Sequence, residues 1–245
     1  MNDLTKREKG HVQVARKIKE MGLKQGDILV YAVIKDYKNG TTGLCNPGLD
    51  KTIVPRTGLS KNFVLGAITR LEQKGLITII RKRGTSNQYT FKEIGEEFDR
   101  FAKTFLDIKN LTPNTKEFYM KIQEYLYIHE DGTAQTTYSI NQLAELADVD
   151  WKSAKKYMKE LEEKAYMLPE STALVEETGL HTTRFVFDLN KLGQAILYKL
   201  KEHDDSIQEL YSQRSEDREK VIKLEKEVER LKLQLRSKEA QSYPL

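Results

Sequence analysis

Apolar positions recur with a helical period in several stretches of the chain, and two of these stretches are copies of one another. The segment Leu59 to Ile77 (LSKNFVLGAITRLEQKGLI) aligns without a gap on Val149 to Met167 (VDWKSAKKYMKELEEKAYM), an offset of 90 residues. Val64, Ile68 and Leu71 in the first copy and Ala154, Met158 and Leu161 in the second fall at i, i+4 and i+7. That spacing is the buried stripe of an amphipathic helix. Each stripe follows an N-cap residue, Ser60 or Asp150, whose side-chain oxygen accepts from an exposed N–H of the first turn. Upstream, Ile53-Val54 and Leu143-Ala144 sit at the same relative place inside a short helix. The intervening turns are Thr57-Gly58-Leu59 and Ala147-Asp148-Val149. A short helix, a turn and a longer amphipathic helix predict a helix-turn-helix in each copy. Pro55 removes an N–H and is expected to shorten or shift the first short helix. DILVYAVIKDY (27–37) and KEFYMKIQEYLYI (116–128) are apolar enough to supply the first helix of each three-helix core.

β-branched and aromatic runs follow each copy. ITIIRK (77–82) and NQYTF (87–91), joined by Arg83-Gly84-Thr85-Ser86, predict a two-stranded hairpin placed as a wing. The second copy has a longer counterpart, with a strand near Leu174 to Glu177, a turn at Thr178-Gly179, and HTTRFVF (181–187). Between the copies, EIGEEFDRFAKTFLDIKN (93–110) places Phe98, Phe101, Ala102 and Phe105 on one helical face, which predicts a packed connecting helix. Pro113 with Asn114 marks the next boundary. In the tail, Ile207, Val221, Val228 and Leu235 as a positions and Leu210, Leu224 and Leu231 as d positions form a heptad seam, loosened at Arg214 and Asp217. Val at a with Leu at d favours a parallel two-stranded coiled coil and hence a homodimer. A single solvated charged helix is the other reading of the tail.

The fold class that follows is mainly α with small β wings: two winged helix-turn-helix modules plus a C-terminal coiled-coil helix. The expected divisions are a basic module at 1–94, a connecting helix at 95–113, a second module at 114–190, and a C-terminal helix and coiled coil at 191–245. A chain of 245 residues is long enough for two small cores.

Charge changes the picture more than composition does. The net charge is only +4. Residues 1–94, however, hold 18 Lys and Arg against 8 Asp and Glu, residues 95–204 hold 14 against 20, and residues 205–245 hold 9 against 9. A basic first third points to a polyanionic partner, with nucleic acid the foremost candidate. The single cysteine, Cys45, excludes an internal disulfide and a thiolate-rich zinc site. His11, His129, His181 and His203 show no metal-ligand spacing. The chain has no Gly-rich phosphate loop, GxSxG or HExxH, so neither an enzyme nor a cofactor is expected. No run approaches the ~20 apolar residues of a membrane span, and the opening MNDLTKREKGHVQVARK lacks the apolar core of a signal peptide. A cytoplasmic protein without a membrane partner is expected.

The candidate chemistry is therefore recognition of duplex DNA. A helix fits the major groove and presents its N-terminal half to base edges. On the first long helix the face not committed to the core includes Ser60, Lys61, Asn62, Phe63, Gly66, Thr69 and Arg70. Lys61 and Arg70 suit phosphate or guanine, Asn62 suits adenine, and Phe63 or Leu65 suits a thymine methyl. Arg81, Lys82 and Arg83 at the wing turn suit phosphates or the minor groove. Lys6, Arg7, Lys9, Arg16, Lys17 and Lys19 form an N-terminal arm with two readings, further phosphate contacts or a solvated helix. The second long helix offers Lys152, Ser153, Lys155, Lys156 and Lys159, with Trp151 in its first turn, while its wing carries Glu176 and Glu177. Cys45 is either a thiol sensor or an inert core residue.

The run GLSKNFVLGAITRLEQKGLITIIRKRGTSNQYTF resembles the winged helix-turn-helix of bacterial transcriptional regulators of the multiple-antibiotic-resistance and gluconate-repressor types. It equally resembles the N-terminal domains of phage and plasmid replication initiators. The likeness covers about residues 27–91 and, more weakly, 114–188. It implies a sequence-specific double-stranded DNA-binding protein acting by site occupancy as a dimer, in transcription or replication of a phage or plasmid. By position, Ser60, Lys61, Asn62, Phe63 and Arg81 to Arg83 match the family's DNA-contacting places. The acidic second module leaves an alternative, a winged-helix adaptor or scaffold that binds protein partners through that module and the coiled coil.

Overall fold

The computed structural model describes residues 10–194, apart from 82–84, 93, 96, 130, 169–170 and 176–179, together with Lys220. The chain divides into two compact units, residues 1–198 and 199–245. The heptad positions from Ile207 to Leu235 lie outside the described residues, as do Lys6, Arg7 and Lys9.

Three helices and a hairpin make up the first copy. α1 (Asp27–Lys35) is buried from Asp27 to Ile34. A π-type turn at Leu49–Ile53 runs into α2 (Val54–Thr57), and the Ile53 N–H reaches back to the Gly48 carbonyl at 3.0 Å. Pro55 stands in the first turn of α2, where its missing N–H is harmless. The displacement expected of Pro55 thus takes the form of a one-turn α2 entered through a wider turn. α3 (Lys61–Gln73) follows, and β2 (Ile77–Ile80) pairs antiparallel with β3 (Gln88–Phe91). Cys45 extends this hairpin, since its backbone N–H and carbonyl both bond Tyr89, at 2.9 and 2.8 Å. Its side chain is fully buried and its thiol is pushed up to about 11 by burial, which suits a core residue and not a sensor.

The second copy repeats this plan closely. α5 (Pro113–Ile122) precedes α6 (Ile140–Leu146) and α7 (Trp151–Glu163). α3 and α7 are both 13 residues long, and the buried sets Val64, Ala67, Ile68, Leu71 and Ala154, Tyr157, Met158, Leu161 correspond one for one at the 90-residue offset. Backbone turns correspond as well. Gly58 and Asp148 both have positive φ, +70° and +52°, as do Gly75 and Ala165, at +68° and +59°. β5 (Tyr127–Ile128), β6 (Thr133–Thr136), β8 (Leu180–Asp188) and β7 (Ser171–Val175) form a four-stranded antiparallel sheet in that order.

The structure departs from several expectations here. The segment read as one connecting helix over 95–113 is a strand, β4 (Phe98–Ala102), followed by a single turn, α4 (Lys103–Leu106). β4 pairs antiparallel with β1 (His11–Ala15), which draws residues 11–15 into the body of the protein. In the described part of the arm, Arg16–Glu20 forms a 3-10 helix whose cations are not all free, because Arg16 and Lys19 pair with the buried Asp99 at 3.0 and 2.5 Å and also meet Glu124. The two copies do not keep separate cores, since one hydrophobic cluster runs from Val12 to Leu192. The division expected at 191 also moves: Leu192 and Gln194 are buried, and Gln194 accepts from the Ala102 N–H at 3.0 Å.

α5 explains why the copies fuse. It is buried at every position from Thr115 to Ile122, three charged residues included. Each charge serves the end of another helix. Lys116 donates to the Leu106 carbonyl at the end of α4 (3.1 Å), and Lys121 to the Ala147 carbonyl at the end of α6 (2.7 Å). Glu117 accepts from the Gly26 and Leu29 N–H groups at the start of α1, at 2.7 and 3.2 Å. Cations at helix C-termini and an anion at an N-terminus are the arrangement that the helix dipole favours. Burial nonetheless costs these groups, pushing Lys116 down to about 8 and Glu117 up to about 7.

Candidate nucleic-acid interface

The turn into α3 sets the site. Gly58 takes the left-handed conformation that lets α2 and α3 meet at an angle, and Ser60 caps α3 by accepting from the Phe63 N–H at 3.3 Å. Burial of Val64, Ala67, Ile68 and Leu71 turns one side of α3 inward. Lys61, Asn62, Leu65 and Thr69 are left on the exposed side. Lys61 meets Asp50 at 2.9 Å, but both side chains are more than half exposed, so a phosphate can replace that carboxylate at little cost. Thr69 turns its hydroxyl back onto the Leu65 carbonyl at 3.0 Å.

Two expected contacts face elsewhere. Arg70 forks onto buried Asp27, Nε to Oδ2 at 2.8 Å and Nη2 to Oδ1 at 2.6 Å. Its guanidinium is committed to the first turn of α1. Phe63 packs against Gly26, where an added Cβ would lie 2.8 Å from the ring, and the Arg70 guanidinium lies 5.3 Å above the Phe63 ring centre. Gly66 leaves room for this arrangement, as a Cβ there would stand 3.1 Å from Arg70 Nη1. Of the two apolar candidates on this face, Leu65 is the exposed one, at 44%. Local spacing leaves Phe63 and Leu65 as equal candidates for a thymine methyl, because the glycine seat beneath Phe63 lies 37 positions earlier.

Just after β2 stands Arg81, which is exposed and forks onto Glu72 of α3 at 3.2 and 2.7 Å. Hydrogen bonding from Arg81 holds the Glu72 carboxyl below the usual carboxylate range. Lys82 and Arg83 lie outside the described residues.

α7 presents a second basic face. Asp150 caps it, accepting from the Ser153 N–H at 3.0 Å and from the Ser153 hydroxyl at 2.6 Å. The Ser153 hydroxyl thus takes part in the cap. Lys152, Lys155, Lys156 and Lys159 are exposed, with Lys155 Nζ 5.1 Å from the centre of the exposed Trp151 ring and Lys159 3.5 Å from Glu163. Glu176 and Glu177 of the expected second wing lie outside the described residues.

α3 and α7 both attach to one short stretch before α1. Phe63 and Arg70 hold Gly26 and Asp27, and the Tyr157 hydroxyl of α7 exchanges hydrogen bonds with the Gln25 amide at 3.0 and 3.2 Å. The two exposed helix faces are therefore parts of one packed body.

Residues 21–77 match the family model of a helix-turn-helix domain. The helix-turn-helix reading of α2, its turn and α3 is thereby supported, and with it a DNA-binding module. The match takes in α1 to α3 and stops at the first residue of β2. No curated protein matches the chain. Among the described residues no helix is long and apolar enough to cross a membrane.

Proposed function

We propose that the protein is a sequence-specific binder of double-stranded DNA that acts by occupying its site, as a transcriptional regulator or replication initiator of a phage or plasmid. The observation that carries this reading is the coincidence of the helix-turn-helix match with an α3 whose exposed side presents Lys61, Asn62 and Leu65. A lysine for phosphate or guanine, an amide for adenine and an aliphatic group for a thymine methyl make a base-reading set. Arg81 to Arg83 then add sequence-independent affinity. In this reading the chain carries two winged helix-turn-helix modules in tandem, with Lys152, Lys155 and Lys156 of α7 adding phosphate contacts. The heptad seam from Ile207 to Leu235 pairs two chains, and the DNA site is a repeat or pseudo-palindrome. Neither an enzyme activity nor a cofactor is part of the proposal.

Salt dependence of duplex binding tests it. Neutralising Arg81, Lys82 and Arg83 together should weaken binding to all sequences. The slope of log affinity against log salt should fall by about 1 for each phosphate that these cations no longer neutralise. An unchanged slope would remove the wing from the interface.

A second reading draws on the acidic excess of residues 95–204, 20 acidic against 14 basic side chains, and on Tyr127 and Tyr138, 68% and 40% exposed. These features fit an adaptor that binds a protein partner through the second copy. Retention of duplex at low salt separates the two, since the adaptor reading requires none.

A further inference from the structure

A half-enclosed cleft of about 360 Å³ lies where β1, the end of α1, the end of β3 and the start of β4 meet, with no described lining residue from α3. Its apolar wall is aromatic. Tyr31 meets Phe91 edge-on, with centroids 4.9 Å apart and planes at 88°, and Phe98 faces the same space. Phe91 and Phe98 are each only half-buried, so part of their surface remains open to the cleft. Lys35 Nζ stands 5.4, 5.8 and 5.8 Å from the three ring centres.

The rim is cationic. Lys38 and Lys92 are exposed on it, and neither forms an ion pair among the described residues. Asp36 is the acidic side chain among the described lining residues, and its carboxylate is already engaged by Arg56 at 2.6 Å and Lys103 at 2.9 Å. Lys38 and Lys92 thus bring two like charges to the rim that have no carboxylate partner among the described residues, which concentrates anions there. The volume falls within the range of small-molecule sites, which pair an aromatic or apolar lining with a few convergent polar groups.

We propose that this cleft binds a small phosphate ester with a planar aromatic body, of the nucleoside monophosphate type. The flat ring system lies against Phe91 and Phe98, and the dianionic phosphate meets the Lys38 and Lys92 ammonium groups. Two flexible point charges suit a phosphate, whose charge is spread over three oxygens, better than a single carboxylate. Nothing in this assignment depends on the DNA-binding reading.

Calorimetric titration of the full chain with adenosine monophosphate, adenosine and inorganic phosphate, in the absence of DNA, tests it. The expected result is saturable binding of the monophosphate, with adenosine and phosphate alone each at least about tenfold weaker. Lys38→Ala/Lys92→Ala, at two exposed positions, should weaken the monophosphate by a similar factor while the circular dichroism spectrum and melting temperature stay unchanged. Phe98→Leu should do the same by removing an aromatic face. Absence of saturable binding at millimolar monophosphate would overturn the assignment. So would undiminished binding by the lysine variant, or phosphate binding as tightly as the monophosphate.

Discussion

Arg70 of α3 and Asp27 of α1 form a two-pronged ion pair, 2.8 and 2.6 Å long, around a carboxylate with no solvent exposure. Both positions recur at the 90-residue offset with altered chemistry. Glu160 takes the place of Arg70 and bonds Thr112 and Thr115 at the start of α5, while Glu117 takes the place of Asp27 and bonds the start of α1. In both copies the long helix is thus tied to the first turn of its own leading helix, by a cation on an anion in one and by an anion on N–H and hydroxyl donors in the other. Arg70→Ala should leave Asp27 buried without its partner, lowering stability by about 3 kcal/mol in urea unfolding. Arg70→Lys should recover part of the loss, having one point charge in place of the fork. A loss of DNA discrimination at full stability would contradict the structural role.

Glu117 makes stability depend on pH with an unusual sign. Its carboxyl is raised from 4.5 to about 7, mainly by burial, with neighbouring Asp27 adding to the shift. The folded state therefore holds the proton more tightly than the unfolded chain, and this group costs nothing below about 4.5. As pH rises from there to about 7 its contribution becomes increasingly unfavourable, and above 7 the penalty is complete. Glu117→Gln keeps an oxygen that accepts from the Gly26 and Leu29 N–H groups and removes the charge. Its stability relative to the parent should rise across that window, by an amount on the order of 2–3 kcal/mol. Chemical denaturation at pH 5 and pH 8 measures the difference, and an equal difference at both would contradict it.

Asp148 and Ala165 occupy left-handed positions where the first copy has Gly58 and Gly75. Standing there costs a side chain about 1 kcal/mol, more for Ala than for Asp. Ala165→Gly is expected to stabilise the fold by up to about 1 kcal/mol and Asp148→Gly by less, both read as shifts in thermal midpoint.

Lys61 and Asn62 are exposed and sit outside the core, so Lys61→Ala and Asn62→Ala should change stability by less than about 0.5 kcal/mol. Their effects on duplex binding should differ. Asn62→Ala should relax preference at one base position by about 1–3 kcal/mol, whereas Lys61→Ala should reduce affinity with any loss of preference confined to one position. Competition binding against single-base variants of a selected site resolves the two.

The repeat carried most of what was legible in the sequence. An ungapped match at 90 residues located α3 and α7, their caps at Ser60 and Asp150, and the buried stripes, because helix periodicity and capping are local signals. The β1–β4 pair was hidden. Along β4 the inward positions include Asp99, whose burial depends on Arg16 and Lys19, 80 or more positions away, so the strand alternation was masked by a carboxylate. The Phe98, Phe101, Ala102 and Phe105 spacing then imitated a helix face. The same limit applies to the site. Helix geometry alone places Lys61, Asn62 and Thr69 on the exposed side of α3, whereas the engagement of Arg70 by a buried acid on another helix is not legible from local spacing. The fusion through α5 was likewise illegible, since Lys116, Glu117 and Lys121 read as a polar face until the helix ends they cap are known.

Selection from a random duplex library by the full chain at near-physiological salt, with the Asn62→Ala variant run in parallel, tests site-specific recognition most directly. Enrichment of a repeated or pseudo-palindromic motif, with preference relaxed at one position by Asn62→Ala, is the predicted result. Weak, salt-sensitive retention with no enriched sequence would contradict it.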